Sequence, residues 1–380
     1  MRRALVVLAA ALVFAGDAIA ADGPPAEWTV GYHGYAFLDV NRQESTSTAR
    51  DFQSENHVMV FASRPWGRGT LQLLGTFTLE PATYRAEGEP ELFQRGETYD
   101  GILLVDRQHP HDLFTQIAAS WRTPLGAGRS FRLYVAPRGE PAIGPVAYPH
   151  RLSASLNPSA PLAHHNQDST HASQDVVTAG FDLSRFTIEA SGFHGREPDQ
   201  NRWDLEQGRI DSYSGRVTYR ATPSLSFQVS SARREHPEDL EPGSQTRTTG
   251  SGMYERLLPD GFIAVTATVG KDQTPDGQEW GNGVEAAWKF RKKHVVYSRV
   301  EGVTRDIFEL TDKTQRPSGV SPEKTLVEAA TFGYARSIPL LVEAGTELGA
   351  DVTVYRLTSR LDPVYGDRPF SCHFYLKLSF

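Results

Sequence analysis

The chain contains a single cysteine, Cys372, among its 380 residues. That excludes an intrachain disulfide framework and a thiolate zinc cluster. It has no basic excess either: lysine and arginine number 39 against 46 acidic residues, a net charge of -7. Such a balance offers no electrostatic footprint for nucleic acid. Long apolar runs are also missing. Beyond residues 1–20 nothing approaches the roughly 20 consecutive apolar residues of a spanning helix, which rules out a helical membrane protein. No stretch sustains a helical period. Aromatic residues are not scarce, at 10% of the chain, and with 22% charge the composition is that of a folding chain rather than a disordered one.

The N-terminus predicts export. Met1, Arg2 and Arg3 form a short positive region, and Ala4 to Gly16 is apolar. Ala18-Ile19-Ala20 then supplies the small-x-small pattern of a signal peptide cut after Ala20. No cysteine follows the apolar region, so a lipoprotein anchor is excluded. Residues 21–380 are read as one unit, without internal repeat, linker or second domain.

The body reads as paired strands. In the last segment Phe370, Cys372, Phe374, Leu376, Leu378 and Phe380 fall on one face, and Ser371, His373, Tyr375, Lys377 and Ser379 on the other. Earlier segments alternate in the same way. Tyr213, Gly215, Val217 and Tyr219 oppose Ser212, Ser214, Arg216, Thr218 and Arg220. Phe131, Leu133 and Val135 oppose Arg132, Tyr134 and Arg138, and Leu71, Leu73, Phe77 and Leu79 oppose Gln72, Thr76, Thr78 and Glu80. Val342, Ala344, Thr346, Leu348 and Ala350 oppose Glu343, Gly345, Glu347 and Asp351. An apolar face against a charged one suits lipid outside and water inside. The last segment, stopping on Phe380, resembles the closing strand of bacterial outer-membrane β-barrels. That resemblance implies an outer-membrane location, surrounding lipid, and recognition of the terminal strand by the barrel-assembly machinery.

Connections alternate between short and long. Short links with turn chemistry lie at 65–69, 123–128, 184–185, 222–224, 258–260, 291–293 and 337–339. Longer polar stretches lie at 41–56, 81–112, 139–173, 196–208, 235–244, 272–279, 306–323 and 357–368. The fold class expected is therefore all-β: a single transmembrane antiparallel β-barrel of about sixteen strands, with fourteen to eighteen allowed. Short turns would face the periplasm and long loops the exterior. Trp28, Trp66, Trp121, Trp280 and Trp288 fall near strand ends, where interfacial aromatic belts sit.

A barrel of about sixteen strands leaves room for an aqueous channel. The expected lumen or constriction residues are Arg132, Arg138, Arg216, Arg220, Arg299, Glu301, Glu343 and Glu347, with Arg234, Glu285, Lys289 and Glu328 also inward. Loops 81–112 and 139–173 exceed what a hairpin needs and are expected to narrow or plug the lumen. The second resembles the long third loop of general porins in position only. The wording of residues 96–114 and 139–171 resembles a group of uncharacterised outer-membrane proteins, and implies no activity. Together these features predict a porin-like channel for passive diffusion of small hydrophilic solutes. A homotrimer stays open.

Seven of the twelve histidines lie between 109 and 194. His109, His111, His150, His164, His165 and His171, with Asp168, Asp106 and Asp112 nearby, could hold Zn²⁺ or Cu²⁺ as a cofactor or cargo. That second reading is a metal-binding outer-membrane protein used in transition-metal transport or resistance. The alternative is that these side chains hydrogen-bond the loops together. A hydrolase built on His109, His111, Asp112, Ser169 and His171 lacks any family signature, so no enzyme is expected.

Overall fold

The computed structural model describes residues 27–168, 173–238, 240, 243–317, 319–340 and 345–380. The signal peptide expected over residues 1–20 lies outside them. Strand β1 (Thr29–Glu44) is paired along one edge by β2 (Thr48–Gln53) and β3 (Asn56–Trp66), which together make one interrupted spanning strand. Then come β4 (Gly69–Phe77) and a separate hairpin, β5 (Glu89–Tyr99) with β6 (Ile102–Gln108). Next are β7 (Phe114–Gly126), β8 (Arg129–Gly139), β9 (Ser173–Leu183), β10 (Phe186–His194), β11 (Ser212–Thr222) and β12 (Leu225–Glu235). The wall is completed by β13 (Ser244–Leu258), β14 (Gly261–Thr274), β15 (Gly277–Phe290), β16 (His294–Asp306), β17 (Lys324–Ser337), β18 (Gly345–Arg356) and β19 (Phe370–Ser379).

Every spanning strand pairs antiparallel with its neighbours in sequence, β4 pairing directly with β7. Strand β19 returns to β1, from Tyr35 opposite Ser379 to Glu44 opposite Phe370. Phe380 extends the seam, its N–H donating to Gly34 O at 2.9 Å and its carbonyl accepting from Gly34 N at 2.7 Å. The result is a closed barrel of sixteen strands with no free edge. The alternation read from the sequence is the alternation of the wall. Val352, Val354, Phe370 and Phe374 are exposed on the outside while Asp351, Thr353, Ser371 and His373 are buried inside. Trp28, Trp66 and Trp288 are exposed near the short-turn rim. Cys372 is half-buried on the outward face.

Three expectations are corrected. Residues 41–56 are not a long loop: β1 runs to Glu44, turns at 45–47 and returns as β2. Stretch 272–279 shrinks to the link Pro275-Asp276 between β14 and β15. Both errors have one cause. Where strands rise beyond the apolar band both faces are polar, so alternation vanishes although the hydrogen-bond ladder continues. The third concerns Glu328, which lies on the outward face and pairs with exposed Arg356 at 3.4 Å.

The lumen is not empty. Hairpin β5–β6 folds inward, and Leu92, Phe93, Leu103 and Val105 bury themselves with Leu162 and Ala163 of loop 139–173 and with Val303, Val327 and Ala329 of the wall. An apolar core of the kind found in soluble domains thus forms inside the barrel, at its long-loop end. The described part of loop 139–173, up to Asp168, then crosses the interior. Ala142 N donates to Ser191 Oγ and Gly144 N to Ser230 Oγ, each at 2.8 Å, and Ser153 Oγ donates to Glu285 at 2.9 Å. Farther on, Lys377 Nζ donates to Ser155 O and Leu162 N donates to Glu301 at 2.7 Å. The one-turn helix His164–Gln167 rests on β13, β14 and β15. Glycines in the wall make that seat. A Cβ on Gly270 would lie 1.9 Å from Asn166 O, and one on Gly281 would lie 2.4 Å from Ala163 Cβ.

Candidate functional site

The sequence-predicted lumen residues divide into two groups. Toward the short-turn mouth, Arg216 and Arg132 share the buried Glu189, Arg216 at 2.8 Å. Arg122 reaches Asp182 at 2.9 Å, and Arg220 lies 3.8 Å from the same carboxylate. These side chains keep contact with solvent: Arg132 is 39% exposed, Arg122 44% and Arg220 53%. Four guanidinium groups thus face two carboxylates on the inner surface of β7–β11. Lys289 pairs with Glu347 at 3.1 Å on another part of the wall. Glu343 lies outside the described residues.

The second group anchors the plug instead of lining open water. Arg299 is buried, pairs with Glu301 at 3.0 Å, and donates to Ser159 O and Ala160 O at 3.0 and 3.1 Å. Arg138 is fully buried and pairs with Asp112 and with Glu206 at 2.9 Å. Asp112 also receives Arg202 at 3.3 Å, and Arg202 pairs with Glu97. Arg234 is likewise buried and held by Glu197 at 2.8 Å. Buried charges of this kind persist because each has a partner; stripped of it, desolvation would expel them.

Several anchors were not legible beforehand. Arg151 is wedged between Asp168 at 2.8 Å and Glu285 at 2.5 Å. Arg247 binds Asp272 at 2.9 Å, and Asn166 donates to the same carboxylate at 3.0 Å. Arg305 donates to Phe93 O at 3.0 Å and Leu162 O at 2.6 Å, tying hairpin and loop to one wall residue. Nothing in the sequence around Arg151 or Arg305 marks them out, since their wall and plug partners, Glu285 for Arg151 and Phe93 and Leu162 for Arg305, lie more than a hundred residues away.

The predicted histidines separate in the same way. His109, His164 and His165 converge between the hairpin and the loop. His111 packs edge-on against His109, 5.4 Å between ring centroids, but is not one of the three, its Nδ1 lying 2.7 Å from Glu80, which also accepts from His111 N at 2.9 Å. His150 stacks edge-on with His57, 4.7 Å between ring centroids. Burial pushes His150 down to about 4, keeping it neutral. Burial pushes Asp168 up to about 6 although Arg151 opposes the shift, and it serves as an anchor. His171 lies outside the described residues.

Solved structures identify the architecture. The barrel matches Salmonella typhi OmpF, solved in complex with daunomycin, at a TM-score of 0.53 and 8% identity, covering 92% of this chain and 97% of that one. It also matches the loop L8 deletion mutant of OmpT, an outer membrane protein of Vibrio cholerae, at 0.51 and 10%, covering 93% and 99%. The outer membrane channel DcaP of Acinetobacter baumannii matches at 0.50 and 11%, covering 93% and 97%. No protein-family model matches the sequence, and no curated protein is similar to it. At these identities the likeness is one of fold. The chain has the architecture of porin-type β-barrels of the bacterial outer membrane.

Proposed function

We propose that the chain is an outer-membrane channel for passive diffusion of small hydrophilic solutes, narrowed by its own inserted loops. One observation carries this reading: loop 139–173 is hydrogen-bonded across the inside of a closed sixteen-strand barrel rather than standing above it. A wall of sixteen strands is wide enough for water, and an inserted loop sets the cross-section that solutes meet. On the short-turn side, Arg132 and Arg216 with their carboxylate partners form the polar surface a hydrated solute would touch.

Delivery by residues 1–20 and recognition of the strand ending at Phe380 by the assembly machinery belong to the same reading. It admits a homotrimer, which cross-linking in detergent would count. No enzymatic step belongs to this reading; among the described residues His109 and His111 lie against Glu97 and Glu80.

Reconstitution into planar bilayers tests the channel. Stepwise conductance is expected, and replacing residues 146–166 with a short glycine-serine link should raise the unit step several-fold. A barrel silent at every voltage in both forms would sink the proposal.

A further inference from the structure

Hairpin β5–β6 leads into His109, and loop 139–173 supplies His164 and His165, so three imidazoles meet where the two inserted segments touch. One nitrogen from each lies within 4.8 Å of the other two. His164 and His165 have ring centroids 4.0 Å apart, and His109 and His165 5.4 Å. His109 and His164 are buried.

The outer contacts of two of these rings fix which nitrogen is available. His109 Nδ1 lies 3.2 Å from Pro110 O and 3.3 Å from a Glu97 carboxylate oxygen. His164 Nδ1 lies 2.8 Å from Pro161 O. A carbonyl oxygen can only accept, so each Nδ1 must carry the proton and each lone pair must sit on Nε2. His109 Nε2 is buried and makes no hydrogen bond. A buried acceptor without a donor carries an uncompensated desolvation cost, and one way to recover that cost is to bind a cation. An imidazole whose other nitrogen donates to a carbonyl or carboxylate is the arrangement metal-ligating histidines adopt, because that contact orients the ring and raises its basicity.

We propose that His109, His164 and His165 form a binding site for one late first-row divalent ion, Zn²⁺ or Cu²⁺, which pins the inserted hairpin to loop 139–173. Metal–nitrogen bonds of about 2.0–2.1 Å put tetrahedral ligands roughly 3.4 Å apart, so from the 4.8 Å outer limit the three nitrogens need to close by about 1.4 Å at most. Three imidazoles without thiolate or carboxylate ligands suit Zn²⁺ and Cu²⁺ over Mg²⁺ or Ca²⁺, which take oxygen. A fourth position would go to water. Gly96 of the hairpin keeps the pocket open, since a Cβ there would lie 2.8 Å from His165 Nε2. The site does not depend on conduction, so it stands or falls separately from the channel.

The test uses the full-length barrel, untagged, folded in detergent, stripped with chelator and titrated with Cu²⁺ and Zn²⁺. One ion per barrel is expected, and the Cu²⁺ form should show nitrogen couplings in its electron paramagnetic resonance spectrum. His109→Gln and His164→Gln should each weaken binding at least tenfold, while His294→Gln, at the opposite rim, should not. Binding unchanged in both site variants, or no saturable ion, overturns the proposal. Should the variants fail to assemble, the native-sequence spectrum decides: absence of nitrogen couplings overturns it too.

Discussion

Arg151 is pressed between two carboxylates, Asp168 and Glu285, with essentially no exposure to water. Its guanidinium also donates to Val146 O at 3.1 Å, so its donors are engaged on the loop and the wall together. Removing one member of a buried ion group leaves the others uncompensated, at a cost of about 3–5 kcal/mol. Arg151→Met should therefore loosen loop 139–173 selectively. Amide exchange within the loop is expected to accelerate by roughly two orders of magnitude, since about 1.4 kcal/mol is a factor of ten, while exchange in the wall strands stays put. Arg151→Lys keeps the charge but not the forked geometry and should fall between. Loop protection equal to wild type in the methionine variant would show that Arg151 is not an anchor.

At the scale of elements, the wall and its inserts obey different rules. Wall strands are held by a closed ladder of backbone hydrogen bonds in which every edge is satisfied. The inserts are held by side chains, and some of those are titratable. Glu91 on β5 is buried, and burial pushes its carboxyl up to about 7 against the pull of Arg299. Asp168 is pushed up to about 6 for the same reason. A carboxyl with a raised value in the seated state binds its proton more tightly there than when released. Its contribution to seating is therefore full below the ordinary carboxylate range, falls as pH rises toward 7, and is constant above. Loop and hairpin should accordingly be more open to protease at pH 8 than at pH 5. Glu91→Gln should remove much of the difference, and a digestion rate identical at both pH values in the wild type would refute the argument.

For the whole molecule, overall charge and local charge point in opposite directions. The chain carries -7, which by itself would favour cations. The short-turn mouth instead gathers Arg122, Arg132, Arg216 and Arg220 around Asp182 and Glu189. Distant surface charges are screened over about 8–10 Å at ordinary salt, and a solute passing along the inner wall comes nearer to these side chains than to the outer surface, so the local charge should win. Given a conducting barrel, the reversal potential in a KCl gradient should report anion preference, and Arg132→Ser with Arg216→Ser should reduce it at least twofold. Unaltered selectivity in the double variant would exclude this wall as the selective surface. The barrel itself could be read in advance because its signal is local. A period of two along segments such as 209–221 and 369–380, separated by turn chemistry, gives spanning strands, their outward faces and a count of sixteen without any distant contact. Polar strand extensions such as 41–53 were hidden because both faces carry polar side chains, the inner ones, Asn41 and Gln43, being buried against hairpin β5–β6, and this erases the alternation that reveals a strand. Which way the long loops run was decided only in three dimensions. Arg305 meets Phe93, Arg151 meets Glu285 and His109 meets His165 through contacts between residues far apart in the chain, and burial inside a wall that only the closed barrel creates gives those contacts their strength.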